Sequence, residues 1–224
     1  TEFDRSLFGN VVEAKKDYIP VPRPSEAAIA KVKSYLGANP VGIFARNRQC
    51  YGRNLQPEFY QKLINSLRQK GYDPIWLGEK QSTLACPDPT VFDFTRQPEA
   101  RDLELTLAML SQCKFTVQFW TASTRLAAIT GVPYILFESP DQIAGAGQEG
   151  YRMALTTDWN KKKLVLSHYW NVYENNDQGI ALVEQAIDEM NADNWNHIYG
   201  LLEEELIVRL QVKGRLLWRE QNDN

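Results

Sequence analysis

The fold is decided by residues 115–137, which read FTVQFWTASTRLAAITGVPYILF. The beginning and the end of this stretch are short apolar runs of the length typical of buried parallel strands. Between them, small and polar residues lead into a short helical pattern that ends at Gly131, a residue suited to a helix C-terminus. The stretch predicts a strand, a helix and a second strand, which is the repeating unit of a parallel sheet.

The same alternation extends towards the N-terminus. Further strands are predicted at residues 41–45, 75–77 and 91–94, and further helices at residues 25–36, 57–71 and 102–112. Ser25 suits an N-cap, Pro57 a first helical position and Gly71 a helix end. We therefore predict an α/β fold of the doubly wound, Rossmann-like kind, with a mostly parallel sheet.

The two ends of the chain differ from this regular part. Three prolines between residues 20 and 24 forbid a helix, so residues 1–25 are predicted to be a linker or interdomain strap. Residues 26–194 form the predicted Rossmann-like domain, which includes a strand at 164–166 and an amphipathic helix that Asp177 is expected to cap. Residues 195–224 are predicted to be a helical tail, because leucines recur at four-residue spacing from Leu202.

Composition excludes several classes of protein. A net charge of -3 argues against a dedicated nucleic-acid binder. The three cysteines and two histidines lack metal-ligand spacing, so we expect no metal, no cofactor and a reducing, cytoplasmic location. There is no signal-peptide pattern, and no apolar run approaches the roughly 20 residues of a membrane span.

The loop after the first predicted strand is rich in arginine. Arg46, Arg48 and Arg53 lie within eight residues that contain no acid. Guanidinium groups match phosphate oxygens bidentately, and the start of the following helix adds partial positive charge. The loop is a candidate phosphate site. The alternative is a solvated loop whose arginines pair with surface carboxylates.

A second candidate loop follows the strand at residues 115–119. Thr121, Ser123, Thr124 and Arg125 surround the start of the next helix. Hydroxyls and free amides at a helix start form a cradle for an anion. Plain N-capping by Thr121 or Ser123 is the alternative interpretation, and the two roles are compatible.

Other polar and aromatic residues fall near strand ends. Glu79 and Glu138 could accept hydrogen bonds from sugar or ribose hydroxyls, or be simply solvated. Trp76 and Trp120 could stack on a base or belong to the core. His168 has no visible catalytic partner, so no catalytic residue is nominated. The sequence also has no P-loop and no G-x-G-x-x-G fingerprint after a strand.

Part of the chain resembles the donor-binding C-terminal domain of GT-B glycosyltransferases, particularly the heptosyltransferase-like branch. The resemblance is carried by residues 102–113, 115–120 and 126–137, the last of which contain Gly131-Val132-Pro133. Residues 41–53 resemble the opening unit of that domain, so the resemblance covers about residues 41–139. Thr121-Ala122-Ser123 stands where the family pattern has aspartate-serine-glycine, and arginines stand where it commonly has a lysine.

The resemblance implies a donor half of a glycosyltransferase. Arg46, Arg48 and Arg53 would face the phosphates of a nucleotide-diphosphate sugar, and residues around Ser123 and Thr124 would close on the diphosphate. The acceptor is unknown, and an N-terminal partner domain is expected outside this chain. Two alternatives stay open: a non-catalytic nucleotide-sugar-binding or scaffold domain, which the altered loop favours, and a nucleotide-sugar epimerase.

Replacing Arg48 or Arg53 tests the phosphate loop directly. If each guanidinium contacts the diphosphate, Arg48→Ala and Arg53→Ala should each weaken binding by about 1.5–3 kcal/mol, because each loses a hydrogen bond to a charged group. Calorimetric titration with nucleotide-diphosphate sugars measures this. Unchanged affinity in both variants would place the site elsewhere.

Overall fold

The computed structural model of the protein describes residues 23–47, 54–119, 122–138, 162–167, 176–195 and 198–199. Its strands are β1 Pro40–Phe44, β2 Asp73–Leu77, β3 Phe92–Asp93, β4 Phe115–Phe119, β5 Tyr134–Glu138, β6 Lys163–Ser167 and β7 Ile198–Tyr199. They form one sheet in the order β3-β2-β1-β4-β5-β6-β7, and every neighbouring pair is parallel.

Helices cover both faces of this sheet. They are α1 Glu26–Lys33, α2 Pro57–Gln69, α3 Leu103–Gln112, α4 Ala122–Thr130 and α5 Asn176–Asn191, and two 3₁₀ turns, Phe94–Arg96 and Pro98–Arg101, precede α3. On the first face, α2 and α5 pack over Ile43 and Trp76. On the second face, α1 and α3 pack over Phe44 and Leu77, and Leu126 of α4 joins the same core. The predicted doubly wound α/β fold is confirmed.

Local signals explain where these helices begin and end. The Ser25 side chain accepts from the Ala28 N–H at 3.2 Å, and Pro57 is the first residue of α2, both as predicted. Gly71 and Gly131 have φ of 82° and 73°, conformations that glycine adopts without strain. The backbone N–H of Tyr72 reaches the Leu67 carbonyl at 3.0 Å, which completes the helix end at Gly71.

Several predicted bounds change. β3 has two residues instead of four, because the Asp93 side chain accepts from the Thr95 N–H and starts a 3₁₀ turn. Glu138 belongs to β5 rather than following it. Asp177 lies inside the first turn of α5, which begins at Asn176, so its predicted role as the cap is wrong. Residues 198–199 form β7 within the stretch expected to be helical, and the rest of that tail lies outside the described residues.

The second half of the sheet is tied to the first through α5. Its buried Val183, Ala186 and Ile187 pack into the core of the first face beside α2. Polar pairs cross the same junction: Ser66 donates to Glu184 at 2.7 Å, and Lys70 pairs with Asp188 at 2.8 Å. Exposed ion pairs contribute little, so the apolar contacts hold α5 in place.

Within the described residues, no helix is long and apolar enough to cross a bilayer.

Asp88 fixes the connection between β2 and β3. One carboxylate oxygen accepts from the Thr90 backbone at 2.8 Å and from its hydroxyl at 2.7 Å, and the other pairs with Arg68 of α2 at 2.6 Å. The hydrogen bonds from Thr90, followed by the Arg68 charge, lower the pKa of Asp88 from 3.8 to about 2. The charged form is therefore favoured by folding.

Asp88→Asn should change how stability depends on pH. The stabilisation from Asp88 is complete above the unfolded-state pKa of 3.8 and is lost as the pH falls through about 2. Urea unfolding should therefore show a shallower loss of stability in the variant than in the wild type across this interval. Asp177→Asn, which changes an 82% exposed side chain, is the control and should follow the wild type. Identical curves for Asp88→Asn and wild type would contradict the assignment.

Candidate functional site

The chain reverses its direction of winding between β1 and β4. From β1 it proceeds outward to β2 and β3, and from β4 it proceeds the other way to β5 and β6, yet β1 and β4 are neighbours in the sheet. Phe44 is in register with Gln118, so both strands end at the same edge. We call this edge, where β1 and β4 end, the switch point. In open parallel sheets, ligands bind in the crevice at this position.

Arg46 leaves β1 at the switch point on a fixed backbone. Residues 82–84, which follow β2, fold back and run antiparallel to residues 45–47. The Leu84 N–H donates to the Ala45 carbonyl and the Asn47 N–H donates to the Ser82 carbonyl, both at 2.8 Å. Arg46 and Thr83 form the bridge between these bonds. The arginine therefore does not sit in a freely solvated loop.

The surroundings of Arg46 are largely dry. Its exposed fraction is 7%, and Tyr60 of α2, at 3%, hydrogen-bonds to its backbone. Burial raises the pKa of Tyr60 well above its ordinary value of 10.0, and the backbone hydrogen bond and charge of Arg46 oppose this only in part. The phenol therefore stays neutral at physiological pH. A guanidinium in such surroundings interacts with an anion more strongly than one in water.

The start of α4 contributes the second part of the site. Ser123 and Thr124 are buried, at 9% and 1% exposure, and the Thr124 hydroxyl donates to the Phe119 carbonyl at 3.1 Å. This bond ties the first turn of α4 to the end of β4. The first turn of α4 has no acidic residue, whereas that of α2 contains Glu58. The positive end of α4 is therefore the better match for an anion.

The structure brings part of the sequence-predicted set to one edge. Glu79 lies exposed at the exit of β2, beside the exit of β1 that bears Arg46. Ser123 and Thr124 follow β4, and Glu138 ends β5, the next strand. Arg48, Arg53 and Thr121 lie outside the described residues. Arg125 lies within α4, but its side chain and that of Glu138 are not among those described.

Two buried polar side chains of β4 were missed from the sequence. Gln118 and Thr116 point towards the second face and are 2% and 0% exposed. Within the described residues, the amide nitrogen and oxygen of Gln118 have no hydrogen-bond partner, and the same is true of the Thr116 hydroxyl. The signal was present as polar residues alternating within the apolar run FTVQF. Buried polar groups in this condition call for an explanation, and functional sites are one place where they occur.

Of the remaining sequence candidates, the described residues include Trp76. Trp76 is fully buried, its indole N–H donates to the Leu84 carbonyl at 2.8 Å, and its ring meets Tyr60 edge-on. It is therefore a core residue, not a stacking platform. Trp120 and His168 lie outside the described residues.

A cavity of about 450 Å³ lies along β3, away from the switch point. Its carboxylates are already engaged: Asp88 binds Thr90 and Arg68, and Asp93 accepts from Thr95 and pairs with Arg96 at 3.0 Å. These groups serve the fold, so we place the candidate site at the switch point.

No group of three or more His, Cys, Asp or Glu side chains in the described part of the chain is arranged to hold a metal ion. Comparison with protein-family models, with curated proteins and with solved structures finds no match to this chain.

Gln118→Met tests whether the buried amide is a strained feature. Removing an unsatisfied buried polar group while keeping its length should raise the free energy of unfolding by about 1–3 kcal/mol, measured by urea denaturation. Gln61→Met is the control, because the Gln61 amide lies on the surface of α2 and donates to Asn65. A loss of stability in Gln118→Met would show that the amide is satisfied in solution.

Proposed function

We propose that the chain binds a nucleotide-diphosphate sugar at the switch point and is the donor half of a glycosyltransferase. The observation that carries the proposal is the position of Arg46. It is a buried guanidinium at the exit of β1, beside β4, in a parallel sheet whose first six strands have the order found in dinucleotide-binding folds.

The charge at this position suits a diphosphate. Arginine presents a planar set of donors that pairs bidentately with phosphate oxygens. The first turn of α4, which contains no acid, adds the partial positive charge of a helix N-terminus on the neighbouring strand. In a transfer reaction these groups would stabilise the negative charge that develops on the leaving nucleoside diphosphate.

The opening loop favours a sugar nucleotide over a dinucleotide cofactor. A nicotinamide or flavin dinucleotide site uses a glycine-rich turn between the first strand and its helix, so that the backbone approaches the pyrophosphate. Here the chain from Ala45 to Gln56 contains one glycine and three arginines. Side-chain charge thus replaces close backbone approach, as the resemblance to glycosyltransferase donor domains also implies.

Calorimetric titration with UDP-, GDP- and ADP-sugars tests the binding step. One of these series should bind the wild type, and Arg46→Lys should weaken that binding by about 1.5–3 kcal/mol, because lysine keeps the charge but loses the bidentate geometry. Arg68→Lys is the matched control: Arg68 lies in the last turn of α2, at the opposite edge of the sheet, and should leave the affinity unchanged.

The products separate the proposal from its alternatives. Release of the nucleoside diphosphate with transfer of the sugar supports a glycosyltransferase. Binding without any turnover, measured with the chain joined to its N-terminal partner domain, supports a scaffold, and conversion of the donor sugar without release supports an epimerase. If no nucleotide-diphosphate sugar binds the wild type, the donor site itself is refuted.

A further inference from the structure

Tyr60 and the segment at residues 82–84 hold the backbone of Arg46 from two sides. In the antiparallel bridge, the hydrogen bonds to residues 82–84 are made by Ala45 and Asn47, so the N–H of Arg46 points away from that segment. On that other side lies the Tyr60 phenol, which hydrogen-bonds to the Arg46 backbone. The backbone from which the Arg46 side chain extends is therefore held on both sides.

Tyr60 is itself held rigidly. Its ring meets Phe59 and Trp76 edge-on, with centroids 5.6 and 5.3 Å apart. The Trp76 indole donates to the Leu84 carbonyl, and Leu84 donates to the Ala45 carbonyl, each at 2.8 Å. These contacts form a closed ring that runs from Tyr60 through Trp76 and Leu84 back to the exit of β1. This ring of contacts restrains the backbone of Arg46.

We infer that Tyr60 is a positioning residue that acts through Arg46: its hydroxyl fixes the arginine backbone at the switch point and thereby sets the affinity for a diphosphate. The inference rests on the proposed function for its ligand. Tyr60 is not expected to contact the diphosphate, and its neutral hydroxyl supplies no charge. Its effect on binding must therefore disappear when Arg46 is replaced.

A double-mutant cycle tests this dependence, with inorganic pyrophosphate and UDP as probes. Tyr60→Phe should weaken the binding of both probes about 3- to 10-fold, the equivalent of one ordinary hydrogen bond. In the Arg46→Ala background, which leaves no charged side chain at this position to be held in place, the same change should have no further effect. A loss of equal size in both backgrounds would show that Tyr60 acts only through general stability, and unchanged affinity in Tyr60→Phe would also overturn the inference.

Tyr72→Phe is the matched control. It removes the same hydroxyl from a tyrosine at the opposite edge of the sheet, where the phenol donates to Asn191 at 3.3 Å and the ring packs edge-on against Phe115. This variant should bind pyrophosphate and UDP with wild-type affinity. A loss equal to that of Tyr60→Phe would overturn the assignment to Tyr60.

A measurement without ligand separates the two proposals. In Tyr60→Phe the backbone amide of Arg46 should exchange with solvent about tenfold faster by nuclear magnetic resonance, because its acceptor is gone, whereas Tyr72→Phe should leave it unchanged. If the wild type binds neither probe, the donor site and the link to affinity both fail, and amide exchange still decides whether Tyr60 holds Arg46. Unchanged exchange overturns the positioning role even if the wild type binds UDP.

Discussion

The parallel pairing of β1 with β4 is the constraint on which the site depends. It puts Phe44 in register with Gln118 and so brings two strand exits side by side. The helices that follow these strands lie on opposite faces of the sheet. Crossover connections between parallel strands are right-handed, so two connections that run in opposite directions along the sheet place their helices on opposite faces. A crevice results from topology alone. The residues just beyond the two strands, Arg46 and the first turn of α4, give that crevice its charge.

Two buried polar side chains of β4, Gln118 and Thr116, have no hydrogen-bond partner within the described residues. Both are less than a tenth exposed, while the other residues of β4 are apolar. Burying polar groups is unfavourable unless they are satisfied, and proteins tolerate departures from local rules chiefly at functional sites. Asp88, at the other end of the sheet, shows the contrast, because its oxygens are used by Thr90 and Arg68. The polar groups there maintain a loop, which is why the switch point is the stronger candidate site.

Local signals in the sequence were sufficient for the order of the helices and strands from α1 to α5, but not for β7. Pro57, Gly71 and Gly131 act through their own backbone preferences, so the helix bounds they predict are confirmed. Strand ends likewise predicted that Arg46 and Glu79 share an edge. The bridge between residues 45–47 and 82–84 could not be predicted, because it joins two loops without strand periodicity and depends on the tertiary fold. The contact of Tyr60 with Arg46 could not be predicted for the same reason. In the sequence, Tyr60 is one more residue on the apolar face of α2.

The positions of the acidic side chains indicate how the proposed ligand would be oriented at the edge of the sheet. Glu58, in the first turn of α2, and Glu79, at the exit of β2, both lie on the β1–β2 side of the edge, and both are exposed. Carboxylates repel phosphates but accept hydrogen bonds from hydroxyls, which is the role of the acid that binds ribose in dinucleotide folds. The first turn of α4 has no such acid. Under the proposed function, the diphosphate therefore lies between Arg46 and α4, and a hydroxyl-bearing part of the donor lies over β2. Arg46, at the boundary between the two regions, is the group that a ligand in this orientation must contact.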